Sequence, residues 1–200
     1  VPVLPTAALQ AQGGLVRHDQ LDALGVTAAM LRHRLGTGRW RQVLPSVYAT
    51  FDHYLTANQR WAAACLYAGP GAMLTGRVAL QVYGVRNLPA DPYTRVLVPH
   101  ARQVPSVDVV RVHRTRRPDP HARSVEITRI CSPVRAAMDA TRWCRDLRAI
   151  RALLGEVLET GLISEGGLAA ELRHGPTAGS ALPRLALRDL TGERPDRRAT

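Results

Sequence analysis

The spacing of apolar residues changes several times between Leu15 and Ala49. From His18 to Leu24, Leu21 and Leu24 stand three positions apart, which predicts a short helix with both on one face. Gly25 follows and supplies a turn, since glycine takes positive φ without a steric penalty. A second helix is predicted from Ala28 to Leu35, with Met30, Leu31 and Leu35 turned to the core and Arg32, His33 and Arg34 left outside. Thr27 stands where a hydroxyl can cap its first turn. After Gly36-Thr37-Gly38, Trp40 to Leu44 and Val47 to Ala49 have the character of two short strands around Pro45-Ser46, with Arg39 and Arg41 along the hairpin.

The rest of the chain divides the same way. Thr6 to Gln12 predicts a short helix ended by Gly13-Gly14. Thr56-Ala57-Asn58-Gln59 matches a capping box at the head of a helix running to Ala68, and Gly69-Pro70-Gly71 stops it. Thr75 begins another helix, with Val78, Ala79 and Val82 inside. Arg95 to Val98, Val107 to His113 and Val125 to Ile130 are rich in β-branched residues and predict a small antiparallel sheet. Ser132-Pro133 opens a helix to about Trp143. Three more are expected, over Leu147 to Thr160, Ser164 to Leu172 and Gly179 to Leu190, before a charged, frayed tail from Gly192. The expected class is α+β: a winged helix-turn-helix over residues 1–50, then a mixed domain over residues 51–200 with a small antiparallel sheet and several helices.

Charge gives this outline a direction. The formal net charge is +11, and all 27 basic residues are arginines. From Ala23 to Ala90 seven arginines face one acid, Asp52, whereas from Ala136 to Thr200 ten arginines are offset by nine acids. A basic front with a near-neutral rear suits an anionic polymer held by the front, because phosphate neutralisation dominates non-specific affinity. Duplex DNA is the expected partner. Arg32 and Arg34 have the forked donors that match the O6 and N7 edges of guanine. His33 is a further base or phosphate contact, and Thr27, Arg39 and Arg41 are better placed for phosphates. Trp40 and Tyr48 are expected to pack the hairpin. A second basic segment, Arg111, His113, Arg114, Arg116 and Arg117, is a further candidate for phosphate contact.

The composition argues against catalysis. A restriction-type nuclease core needs acids followed by a lysine, and the chain has no lysine. Gly-x-Ser-x-Gly, HExxH, Walker A and GxGxxG strings are absent. Gly175-Pro176-Thr177-Ala178-Gly179-Ser180 lacks the Gly-Lys-[Ser/Thr] ending of a phosphate loop and is expected to be a helix connection. Cys65, Cys131 and Cys144 are far apart without a CxxC pair, so free, buried thiols are expected, with neither a metal nor a cofactor. No apolar run approaches the roughly 18 residues of a membrane span, and a secretory pattern is missing, so the expected location is cytoplasmic.

Several strings resemble the AbiEi-type antitoxin and transcriptional-regulator family common in actinobacteria. The most specific is Gly38-Arg39-Trp40-Arg41-Gln42-Val43-Leu44-Pro45-Ser46-Val47-Tyr48-Ala49. Ala68-Gly69-Pro70-Gly71-Ala72 followed by Leu74 to Leu80, and Ile130-Cys131-Ser132-Pro133-Val134-Arg135 leading into Met138-Asp139, also match, and the likeness extends from about Leu4 to Leu190. The resemblance implies a winged-helix DNA-binding domain joined to a mixed domain. In antitoxin members the first represses the operon and the second supports neutralisation of a nucleotidyltransferase-like toxin. Many relatives carry a further C-terminal nuclease-like domain, which is expected to be lacking here. The expected function is therefore a sequence-specific repressor of its own toxin-antitoxin-type operon, without enzymatic activity. Two alternatives stand beside it: the DNA-targeting portion of a truncated nuclease-associated protein, and a basic protein-interaction module that neutralises a toxin.

Overall fold

Leu15 and Val16 are adjacent and both fully buried. A helix at the rim of a small module cannot bury neighbours that point in different directions, whereas the interior of a two-faced sheet can. In the computed structural model, which describes residues 9–10 and 12–192, they lie on a strand, β1 (Leu15–Arg17). The helix expected from His18 to Leu24 is reduced to a 3₁₀ turn, His18–Gln20, closed by the Gln20 side chain accepting from the Arg17 amide at 2.9 Å. Most of the expected Thr6 to Gln12 helix and the tail beyond Gly192 lie outside the described residues.

Helix α1 (Ala28–Gly36) follows, then β2 (Arg41–Leu44) and β3 (Val47–Ala49). The three strands form an antiparallel sheet in the order β1-β3-β2, with Val16 opposite Tyr48 and Arg41 opposite Ala49. Alternation along the strands sorts their side chains into two cores. Val16 and Tyr48 join Leu21, Val26, Leu31 and Trp40, while Leu15, Val47 and Ala49 pack with Ala62 and Ala63 of α2 (Ala57–Ala68). The capping box at the head of α2 is present, Thr56 and Gln59 each accepting from the other's amide.

The second sheet has five strands in the order β6-β5-β4-β8-β7. They are β4 (Met73–Thr75), β5 (Thr94–Pro99), β6 (Val110–Thr115), β7 (Arg123–Val125) and β8 (Thr128–Ile130). The valine-rich segments do not pair as a wholly antiparallel sheet. β5 and β6 are parallel, as are β4 and β8, while β7 and β8 form an antiparallel hairpin. The chain between β5 and β6 returns to the starting end instead of turning back on itself, as parallel pairing requires.

The remaining helices are α3 (Gly76–Val82), α4 (Pro133–Trp143), α5 (Leu147–Glu159), α6 (Glu165–His174) and α7 (Ala181–Thr191). Their core includes Leu80, Met138, Ile150, Leu154 and Leu168. Ser132 precedes α4, with Pro133 in its first turn, but its hydroxyl does not cap the helix. It donates to the buried Asp119 carboxylate at 2.7 Å, which also accepts from the Ser132 amide. Between α3, α4 and α6 lies an ionic cluster. Asp139 accepts from Thr75 Oγ1 at 2.8 Å, Arg135 Nε at 2.9 Å and Arg142 Nη1 at 3.2 Å, and Glu171 stands 3.9 Å from Arg135. All four charged side chains are at most 10% exposed.

The class is α+β. Two compact units emerge, one comprising Val1–Leu74, Tyr93–Pro118 and Ala122–Ile130, the other Thr75–Pro92, Asp119–His121 and Cys131–Thr200. Residue 50 falls inside the first. No helix among the described residues is long and apolar enough to cross a membrane.

Candidate nucleic-acid interface

Helix α1 is held from one side only. Leu31 is buried, with Met30 and Leu35 packed against the same core, so the opposite face, Ala28, Ala29, Arg32 and His33, is left to solvent. Thr27 Oγ1 accepts from the Met30 amide at 3.2 Å, and Gly25 makes the preceding turn at φ +66°. At the other end, the Thr37 hydroxyl donates to the carbonyl of His33 at 2.9 Å, and the Trp40 amide to that of Arg34 at 3.1 Å. The helix is thereby fixed at both termini while its outer face stays unengaged. Neither Arg32 nor His33 makes a side-chain hydrogen bond or ion pair among the described residues. The two small alanines at the front of that face let a partner approach the helix backbone closely.

Arg34 differs from Arg32. Its guanidinium lies over the buried Trp40 ring, 4.8 Å from the centroid. Such stacking fixes a guanidinium without removing its charge. Arg34 and the exposed Arg39 line an open groove of about 520 Å³ with Thr37, Gly38, Trp40, Thr50, Phe51 and Asp52. Two arginines against one carboxylate leave the groove positive. Trp40 and Tyr48 pack inward, at 4% and 8% exposure, as expected. Arg41 is turned toward the segment after β3, donating to the carbonyl of His53 at 2.6 Å and lying 5.9 Å from the Tyr54 ring. Tyr54 is 90% exposed, and His53 stacks on Phe51 at 4.0 Å. Sequence reasoning passed over this aromatic run; its signal was Phe51, His53 and Tyr54 in a short polar connection beside a basic hairpin.

The second basic segment lies on β6 and just beyond it. Parallel register sets Arg95 beside Arg111 and Leu97 beside His113. Arg111 stacks on Tyr93 at 3.8 Å and donates to the carbonyl of Asp108 at 2.6 Å, and Arg95 approaches the same ring at 5.4 Å. Arg95 and His113 are 3.3 Å apart, as are Arg116 and His100. Arg114 and Arg116 are exposed, Arg117 half-buried. Tyr93, Arg95 and His100 thus belong to a patch of which sequence showed only the Arg111–Arg117 side, because the other members come from the neighbouring strand. Arg32 and His33 share the α1 face, Thr27 stands exposed at the head of that helix, Arg34 and Arg39 share the groove, and the Arg111–Arg117 group is carried by the other sheet.

No protein-family profile matches the chain, and no curated protein sequence does. Among solved structures, it is similar to the crystal structure of the RV2827C protein from Mycobacterium tuberculosis, with a TM-score of 0.55 and 16% sequence identity, over 94% of this chain and 78% of that one. That likeness is one of fold.

Proposed function

We propose that residues up to Thr50 act as a winged helix-turn-helix, that α1 enters the major groove of duplex DNA, and that the chain is a transcriptional regulator of the AbiEi-like kind acting on its own operon. The observation that carries the proposal is the outer face of α1: a helix fixed at both ends, presenting Ala28, Ala29, Arg32 and His33 without internal partners. Arg32 reads a guanine edge. Arg39, beside the positive groove, takes a backbone phosphate and sets the register. Arg34 contributes field from its seat on Trp40, and Arg41 holds the Tyr54 segment against the hairpin. Repression follows from occupation of the promoter, with no chemistry by this chain.

The test is a fluorescence titration of the full chain against the DNA upstream of its own coding sequence, with a scrambled duplex as competitor, at two salt concentrations. Binding that persists through competition supports the proposal. Binding that is equally weak on both duplexes and lost with salt contradicts it. That outcome would favour the basic protein-interaction reading, in which the basic face meets an acidic toxin.

A further inference from the structure

Three arginines from separate segments of the first unit gather at one glycine turn. A β-carbon on Gly69 would sit 2.3 Å from Nη1 of Arg17 and 2.4 Å from Nη2 of Arg102. The two nitrogens are therefore at most about 5 Å apart, a separation at which like charges repel even near a protein surface. A side chain at this position would displace both guanidinium ends, and the φ of +83° at Gly69 itself favours glycine. Arg129, exposed, lines the same open groove of about 330 Å³ with Arg17 and the Gly69-Pro70-Gly71 turn.

The negative charge nearby does not balance them. Asp19 pairs with Arg17 at 2.9 Å, but its side chain is 58% exposed. The Leu66 carbonyl, in the last turn of α2, accepts from Arg17 at 3.5 Å, and a helix C-terminus supplies only about half an elementary charge. Arg102 has no side-chain acceptor among the described residues, and its Nε is buried without a partner. Converging guanidinium groups with unused donors suit a tetrahedral oxyanion, which accepts from several forks at once.

We propose that Arg17, Arg102 and Arg129 form a phosphate-binding site at the Gly69-Pro70-Gly71 turn, separate from the exposed face of α1. Its ligand is either a backbone phosphate of bound nucleic acid or the phosphate of a small molecule. Because Arg17 is also the residue at the head of the 3₁₀ turn ahead of α1, its amide donating to the Gln20 side chain, an anion held here is tied to the element that leads into that helix.

The first arm titrates the full chain with inorganic phosphate in a calorimeter, with chloride at equal ionic strength as the control. Saturable heat with phosphate alone is expected. Arg102→Gln should weaken that binding about tenfold, the effect of one charge-assisted contact. Arg145→Gln, which removes an equal charge from an exposed position in the other unit, should leave it unchanged. The second arm measures the salt dependence of binding to random duplex DNA. A slope lowered by about one in Arg102→Gln identifies a DNA phosphate as the source, and an unchanged slope identifies a small-molecule phosphate. No phosphate-specific heat in the unmodified chain overturns the proposal, whether or not the variants fold. An undiminished response in a folded Arg102→Gln does the same. The calorimetric arm needs no DNA, so it stands even if the chain proves not to bind a duplex.

Discussion

The two compact units place most of their structured arginines in different surroundings. In the second, Arg135 and Arg142 are drawn inside and share the Asp139 carboxylate, with Glu171 close by. In the first, Arg17 pairs with the exposed Asp19, but other guanidinium groups rest on aromatic faces, Arg34 on Trp40, Arg41 on Tyr54 and Arg111 on Tyr93, or donate to backbone carbonyls. A carboxylate fixes an arginine and cancels its charge. A ring or a carbonyl fixes it and leaves the charge in place. One residue type therefore cements the interior of one unit and sets the external field of the other, and the difference lies in the neighbours.

The contrast is broken most severely at Asp139. Asp139→Ala leaves two buried guanidinium groups against the single carboxylate of Glu171 and should lower stability by about 3–5 kcal/mol in urea unfolding; a loss below about 1 kcal/mol would mean the cluster is not the internal cement described. Arg32→Ala should leave the urea midpoint unchanged and cost roughly 1–3 kcal/mol of affinity for the cognate duplex, less on random DNA. Equal losses on both would rule out the base-reading role proposed for Arg32. Thr27→Ala removes one cap, and about 1 kcal/mol of stability should go with it, measured in the same urea assay.

The smallest effect is one on which the units agree. Burial pushes the thiols of Cys65, in the first, and Cys131, in the second, up to about 12. The half-buried Cys144 should be the sole thiol titrated by a disulfide reagent in the folded protein near pH 8, with all three reacting after denaturation. The sign for stability follows. An unfolded thiol ionises near 9.0 while the folded one stays protonated, so these cysteines favour folding below that pH and lose their contribution as pH climbs toward 12. Two released thiols in the native protein would show that one interior is open.

Local signals in the sequence located most helices within a residue or two. The Thr56 capping box and Thr27 before α1 satisfy backbone donors within one turn, and Pro133 in the first turn of α4 removes one, so nearby residues suffice to recognise them. Leu15 to Leu24 was misleading because Leu15 and Val16 are placed by pairing with Tyr48 and Ala49, far along the chain. Met73–Thr75 was passed over as a strand for the same reason: three residues become β4 only between β5 and β8. For the candidate interface, the exposed residues of α1 were legible from helical spacing alone. The stacking of Arg34 on Trp40, the turning of Arg41 toward Tyr54 and the meeting of Arg17 with Arg102 were not, since each depends on side chains brought together by the fold.

The central strand β3 bears on how this protein can be divided. Val47 and Ala49 face α2 while Tyr48 faces the core beneath α1, so a single three-residue strand serves both layers. A fragment ending at Thr50 would keep α1 but strip the cover from Leu15, Val47 and Ala49, leaving a wet apolar sheet. Anyone transplanting the α1 module into another protein should carry α2 with it: the smallest portable piece extends at least to Ala68.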